Sequence, residues 1–206
     1  MKGPEYEAVS KAKRQAESGN PKGAVKTLES YLEEDPHNTK ARMQLAKTLV
    51  YDVNDIDAGL FQMEVVLELE PDNTDAMRAM VTVLAKHKKN NKKTMEIYEK
   101  LLAAAPDADL YNAYGIFLRI QMTDFKKSAE YYEKAISLDP KKPEYRQNYS
   151  VLLLNDLKDY ERAKHELEVL MKLDPDNVSA KKNYELLMKK KFDSNGNLKK
   201  RPLFRK

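Results

Sequence analysis

Five prolines recur along the chain at an almost fixed interval: Pro36, Pro71, Pro106, Pro140 and Pro175 are spaced by 35, 35, 34 and 35 residues. Each closes a run of helical character, read as EEDP, ELEP, AAAP, SLDP and KLDP. Proline lacks the amide hydrogen that a helix needs and pushes the residue before it out of helical geometry, so it marks a boundary at the same point of every unit. A period of about 34 residues with that punctuation predicts stacked supersecondary units, each sheltering its apolar side on a neighbour, in place of one central core.

One unit shows the plan. Residues 124–140, DFKKSAEYYEKAISLDP, read as a turn, an amphipathic helix with small or apolar residues at Ser128, Tyr132, Ala135 and Ile136, and a proline stop. The preceding stretch, LYNAYGIFLRIQ, supplies a second helix in which Gly115 sits where two helices approach closely. The pair recurs. Ala12 faces Ala24, Leu45 and Ala46 face Gly59 and Met63, Val81 faces Thr94, and Ser150 faces Ala163. The expected organisation is an array over 5–191, with repeats at about 5–38, 39–73, 74–107, 108–142 and 143–177. An unpaired helix at 178–191 caps the array, and a basic, flexible tail spans 192–206. With 34% charged and 41% hydrophobic residues, the composition suits helices that each expose one face.

These residues resemble the tetratricopeptide-repeat family. Its small residue in the first helix is matched by Ala12, Ala46, Gly115 and Ser150. The small residue opening the second helix is matched by Ala24, Gly59, Ser128 and Ala163, and the closing proline is present five times. Val81 and Thr94 depart from the pattern, the tryptophan often found early in the first helix is absent, and most turns carry one residue more than the usual unit. The resemblance implies an all-α, right-handed superhelical solenoid of antiparallel helix pairs, with five such units plus a C-terminal capping helix, whose first helices line a concave groove.

The groove set follows from steps of three and four residues along each first helix, opposite the core set. It comprises Val9 and Lys13, then Lys40, Met43, Lys47 and Val50, then Arg78 and Thr82. The later repeats contribute Asn112, Ile116 and Arg119, then Gln147, Val151 and Leu154. Met43, Val50, Ile116, Val151 and Leu154 are expected to form shallow apolar pockets. Lys13, Lys47, Arg78 and Arg119 are expected to attract carboxylates. The competing reading is that the apolar members touch the next repeat and the charges form a solvated face. A family subclass grips C-terminal carboxylates with a clamp of lysine, asparagine and arginine. The places where that clamp would begin, at Val9 and Lys13, Gln44, and Asp75 with Ala79, do not supply it.

Charge is distributed unevenly. From Lys189 onward eight lysines or arginines, including Lys189, Lys190, Lys191, Lys199, Lys200 and Arg201, stand against Asp193 alone, and the remainder holds 29 basic and 32 acidic residues. The tail is read either as a solubilising end or as an electrostatic arm for nucleic acid or an anionic membrane. A second basic cluster, Lys86, Lys88, Lys89, Lys92 and Lys93, lies in the third repeat without interleaved aromatics and reads as a solvated loop.

Catalysis has no constellation to rest on. His37, His87 and His165 fall in three different repeats, the chain has no cysteine, and no glycine-rich phosphate loop occurs. The sequence therefore predicts a non-enzyme without cofactor, metal or small-molecule substrate. It would be a cytoplasmic scaffold that binds a peptide or helix of a protein partner, with self-association as one use. The alternative is an adaptor for nucleic acid or anionic membrane acting through the tail.

Overall fold

A computed structural model describes residues 3–199. Among these described residues eleven α-helices follow one another: α1 (Pro4–Glu17), α2 (Pro21–Glu34), α3 (Thr39–Lys47), α4 (Ile56–Leu69), α5 (Thr74–His87), α6 (Asn91–Ala104), α7 (Ala108–Phe117), α8 (Phe125–Leu138), α9 (Pro143–Leu152), α10 (Tyr160–Leu173) and α11 (Val178–Lys191). The chain divides into two compact units, Met1–Ala105 and Pro106–Lys206. In the first, α1, α3 and α5 each pack on the helix that follows, and α2 and α4 pack on the first helix of the next pair. In the second, α7 packs with α8 and α9 with α10, while α8 also meets α9, and α10 meets α11.

The helix starts are set by short polar side chains. Asn20, Asn38, Asp55, Asn73, Asn90, Asp107, Asp124, Asp159 and Asn177 each accept a hydrogen bond from the backbone N–H three residues on, as Asn38 does from Ala41 at 3.0 Å. Such a cap satisfies an otherwise orphaned donor and is worth about 1 kcal/mol. The other two described helices, α1 and α9, open on a proline, which needs no partner at that position. At three of the five junctions the acid before the periodic proline has a second task. Asp35, Glu70 and Asp174 accept from the side-chain amides of Asn38, Asn73 and Asn177 at 3.0, 2.6 and 3.0 Å, tying the end of one pair to the start of the next. The motif acid–proline–x–asparagine is thus a stop and a start in one loop.

Small residues let the two helices of a pair approach. Ala12 and Ala24 are fully buried in the first pair, and Ser150 and Ala163 in the fifth. In the fourth, Ser128 Oγ donates to the Gly115 carbonyl at 2.8 Å. Thr94, the departure in the third pair, is fully buried, and its hydroxyl donates to the Lys89 and Asn90 carbonyls at 3.2 and 3.0 Å. Its polar group is therefore satisfied locally, and the substitution leaves no orphan. Around these contacts Leu28, Leu45, Met63 and Leu101 in the first unit, and Leu152, Leu153, Leu167 and Leu170 in the second, are withdrawn from water. Each stabilises its pair by about 1.5–3 kcal/mol.

The extra residue of most turns takes two forms. From Ala12 to the start of α2 at Pro21 is nine residues, whereas the same span from Ala46, Val81, Gly115 and Ser150 to Ile56, Asn91, Phe125 and Tyr160 is ten. In three of the four longer cases the first helix widens into a π-helical turn, at Thr48–Val53, Leu118–Met122 and Leu153–Leu157, ending on a left-handed residue: Asn54, Thr123 or Lys158. A π turn absorbs one residue without breaking the helical run. In the third pair, α5 ends on left-handed Lys88, and a three-residue loop with a second left-handed residue, Asn90, takes up the difference.

Residues 192–199 are not the flexible tail that loss of helical periodicity suggested. Phe192 is 2% exposed within the core of the second unit and forms an isolated antiparallel bridge with Leu198. The turn between them is organised by Asp193, whose carboxylate accepts from the backbone N–H groups of Asn195 and Asn197, with Gly196 at φ +79°. Lys164 lies over the Phe192 ring at 5.0 Å from its centroid. An aromatic anchor one residue past the proposed end of the array is what the polar run DSNGN after it concealed.

Candidate functional site

In the first unit, five residues of the predicted groove converge. Val9, Lys13, Lys40, Met43 and Lys47 line one open cleft of about 330 Å³, together with Glu5, Tyr6, Thr39, Gln44, Asn73 and Asp75. They come from α1, α3 and the start of α5, because α1 packs against α3 as well as against α2. Tyr6 is 48% exposed and Met43 half-buried, so the floor offers apolar surface to a ligand. Lys13 and Lys47 are exposed, and Lys40 sits 3.5 Å from Glu5. The cleft edge is held by the loop chemistry. Thr39 donates to Glu70 at 2.7 Å, and this bond, with the one from Asn73, holds the Glu70 carboxyl below its ordinary range.

Val50 does not belong to this surface. It is 5% exposed, and its Cγ2 occupies the space beside Gly59, 2.4 Å from where a Cβ on Gly59 would stand. The three-and-four spacing used to place it assumes an unbroken α-helix. Val50 lies within the π turn, which rotates it inward. Arg78, expected to attract a partner's carboxylate, donates from Nη2 to the Ala105 carbonyl at 3.1 Å, while Thr82 is exposed and donates to the Arg78 carbonyl at 2.8 Å.

In the second unit the predicted residues are largely engaged by the chain itself. Asn112 is 5% exposed and accepts from the Asn148 amide at 3.0 Å, so it is closed to a ligand. Arg119 donates from Nε to Asp156 at 2.6 Å, an ion pair across two π turns that sequence spacing gave no means to find. Ile116 and Leu154 pack on the core cluster of Leu152, Leu153 and Leu167. Gln147 and Val151 are half-buried. Near the start of α9, Tyr145 donates to Asp109 at 2.7 Å, and burial together with that carboxylate pushes its phenol up to about 12. Leu154 lines a different cleft, described below.

The basic residues divide as well. Of the cluster in the third repeat, Lys89 pairs with Asp57 and Lys93 with Glu64 on α4. Of the tail set, Lys189, Lys190 and Lys191 form the last turn of α11, where cations complement the helix dipole, and Lys199 donates to the Lys189 carbonyl at 2.7 Å. Lys200 and Arg201 lie outside the described residues. Among the described residues no three His, Cys, Asp or Glu side chains are grouped to hold a metal ion, and no helix is long and apolar enough to cross a membrane.

The family model of the tetratricopeptide repeat matches residues 108–142, the fourth pair. No match is found among curated proteins. Among solved structures, MamA 41-end from Desulfovibrio magneticus RS-1 is similar with a TM-score of 0.74 at 23% identity, covering 86% of this chain and 99% of that one. A second MamA protein gives a TM-score of 0.71 at 18% identity over 85% and 94% of the two chains. YrrB, described as a tetratricopeptide-repeat protein with an unusual peptide-binding site, gives 0.64 at 21% identity over 79% and 82%. Residues 108–142 thus match the tetratricopeptide repeat, and the helix pairs around them share the fold of tetratricopeptide-repeat proteins.

Proposed function

We propose that the chain is a non-catalytic protein-interaction scaffold whose first-helix cleft in the first unit binds a peptide or helix of a protein partner. The observation that carries this reading is the convergence of Tyr6, Val9 and Met43 with Lys13, Lys40 and Lys47 in one open cleft of about 330 Å³. Apolar floor and cationic rim together suit a segment that presents apolar side chains and carboxylates, since charge-assisted contacts orient what apolar burial holds. That a protein of similar fold is described as having a peptide-binding site is consistent with this use. Working through such a cleft needs neither cofactor nor metal, and the compartment proposed for it is the cytoplasm.

The test is capture of partners from native lysate by the full chain, compared with Met43→Glu and Lys13→Glu variants. Partners lost with both variants support the cleft. Partners retained by both, but lost on deletion of residues 200–206, which spares the Phe192 anchor, or displaced by salt together with RNA or anionic vesicles, would sink it in favour of the basic tail.

A further inference from the structure

A second cleft lies in the other unit and differs in charge. It has a volume of about 380 Å³ and is walled by the π turn Leu153–Leu157 and the start of α10 on one side and by α11 on the other. Leu154 and Tyr160 form its apolar base, and Leu186, 41% exposed, stands at its rim. Lys158, Lys190 and Lys191 also line it, and among the described residues no carboxylate does. The first-unit cleft, by contrast, mixes its three lysines with Glu5 and Asp75.

The cations come from two elements and are placed by different means. Lys158 ends the π turn in a left-handed conformation at φ 57°, the position that Asn54 and Thr123 occupy in the other two π turns. A side chain at that backbone position costs about 1 kcal/mol or more relative to glycine. The Lys158 ammonium donates to the Asn155 carbonyl, which holds the charge beside the opening. The Lys191 ammonium lies 4.6 Å from the centroid of the Tyr160 ring.

We infer that this cleft is a docking site for an acidic peptide segment of another protein, one that inserts a single large apolar side chain between Leu154 and Leu186 while flanking carboxylates meet Lys158 and Lys190. Charge complementarity selects the occupant: an all-cationic rim over an apolar base favours carboxylates beside an apolar group. A concave site of this size takes one or two side chains, whereas a bilayer presents a broad plane of headgroups. The site is separate from the first-unit cleft and is tested separately.

The probe is a fluorescently labelled short peptide in which one leucine is flanked on both sides by glutamates, followed by anisotropy against the full chain. Binding that falls about tenfold in Lys158→Glu and again in Lys190→Glu, fails for the glutamine version of the peptide, and weakens in Leu186→Asp is the expected result. In the Met43→Glu background, which removes any share of the peptide taken by the first-unit cleft, the effects of the Lys158 and Lys190 variants should persist. Lys158→Gln keeps the test valid if charge reversal at the left-handed position disturbs folding, which the far-ultraviolet dichroism reports. Absent binding, binding indifferent to the lysine variants, or equal binding of the glutamine peptide would each overturn the inference. Capture of phosphatidylserine vesicles without peptide binding, lost in the same variants, would overturn it in favour of a membrane surface.

Discussion

The inward rotation of Val50 can be tested by pairing it with the glycine it covers. A Cβ placed on Gly59 would stand 2.4 Å from Val50 Cγ2 and 3.0 Å from the Ala46 carbonyl oxygen, so Gly59→Ala forces a shift. Overpacking of this kind costs about 1–3 kcal/mol, against which alanine returns about 1 kcal/mol of helix preference over glycine. The single variant should therefore lose up to about 2 kcal/mol. Valine is stiff at χ1 and sits in a turn whose backbone is set by its π geometry, so it cannot simply swing aside. Val50→Ala removes two methyl groups from a site 5% exposed, at about 0.8 kcal/mol each plus a cavity term, close to 2 kcal/mol in all. In the double variant the added methyl enters the space that valine vacates, and the remaining constraint is the Ala46 carbonyl. The two changes should then cost about 1–2 kcal/mol less together than the sum of their separate effects. Urea unfolding of the full chain, followed by far-ultraviolet dichroism, gives the cycle. Additivity within about 0.5 kcal/mol would show that Val50 does not cover Gly59 and would return it to the groove surface where periodicity placed it.

Three other outcomes follow from the same geometry. Thr123 is β-branched and left-handed at φ 53°, so Thr123→Gly should stabilise the chain by about 1 kcal/mol, seen as a raised urea midpoint; a lowered one would refute the strain. Arg146 donates to Glu166 at 2.5 Å with the two side chains 12% and 13% exposed; Glu166→Ala should cost about 3 kcal/mol, and Arg146→Met with Glu166→Leu far less, again by urea unfolding. Burial pushes the phenols of Tyr98 and Tyr132 up to about 12, so both stay neutral in the folded chain over a range where they ionise in the unfolded one. Their stabilisation is complete below about pH 10 and is lost as pH rises toward 12, about 3 kcal/mol for each. Dichroism and phenolate absorbance should change together across that window, and less steeply in Tyr132→Phe.

The repeat frame was open to reading because its marks are local. An acid, a proline and an asparagine in a fixed order end one helix and begin another whatever surrounds them, and the small residues at Ala12, Ala46, Gly115 and Ser150 are dictated by helix approach within a single pair. The interval of 34 residues between Pro106 and Pro140 shows where local marks mislead. It reflects a shorter connection, Ala105–Asp107, and leaves the fourth pair as long as its neighbours. The register of the groove was legible only where the first helix stays α-helical. Val9, Lys13, Lys40, Met43 and Lys47 precede the π turn of their unit and meet in one cleft. Val50 and Arg119 lie inside π turns and do not face where the α-helical period puts them.

That distinction bears on how the array tolerates an extra residue. An insertion in the loop between two helices would have left both faces of the first helix in register and lengthened only the connection, as happens after His87. Taken up as a π turn, the residue rotates the end of the first helix, burying Val50 in the second pair and bringing Arg119 to Asp156 and Leu154 to the base of a lysine-rimmed cleft in the later ones. The loop solution conserves the groove, whereas the π solution remakes its C-terminal end differently in each pair, according to the side chain that is turned. On this argument, restoring a nine-residue span by deleting Asn155 should unwind the third π turn, withdraw Lys158 from its left-handed position, and abolish binding at the second-unit cleft while the first-unit cleft keeps its partners. Loss of both, with the chain still folded, would mean that the two clefts are not the independent sites their residues describe.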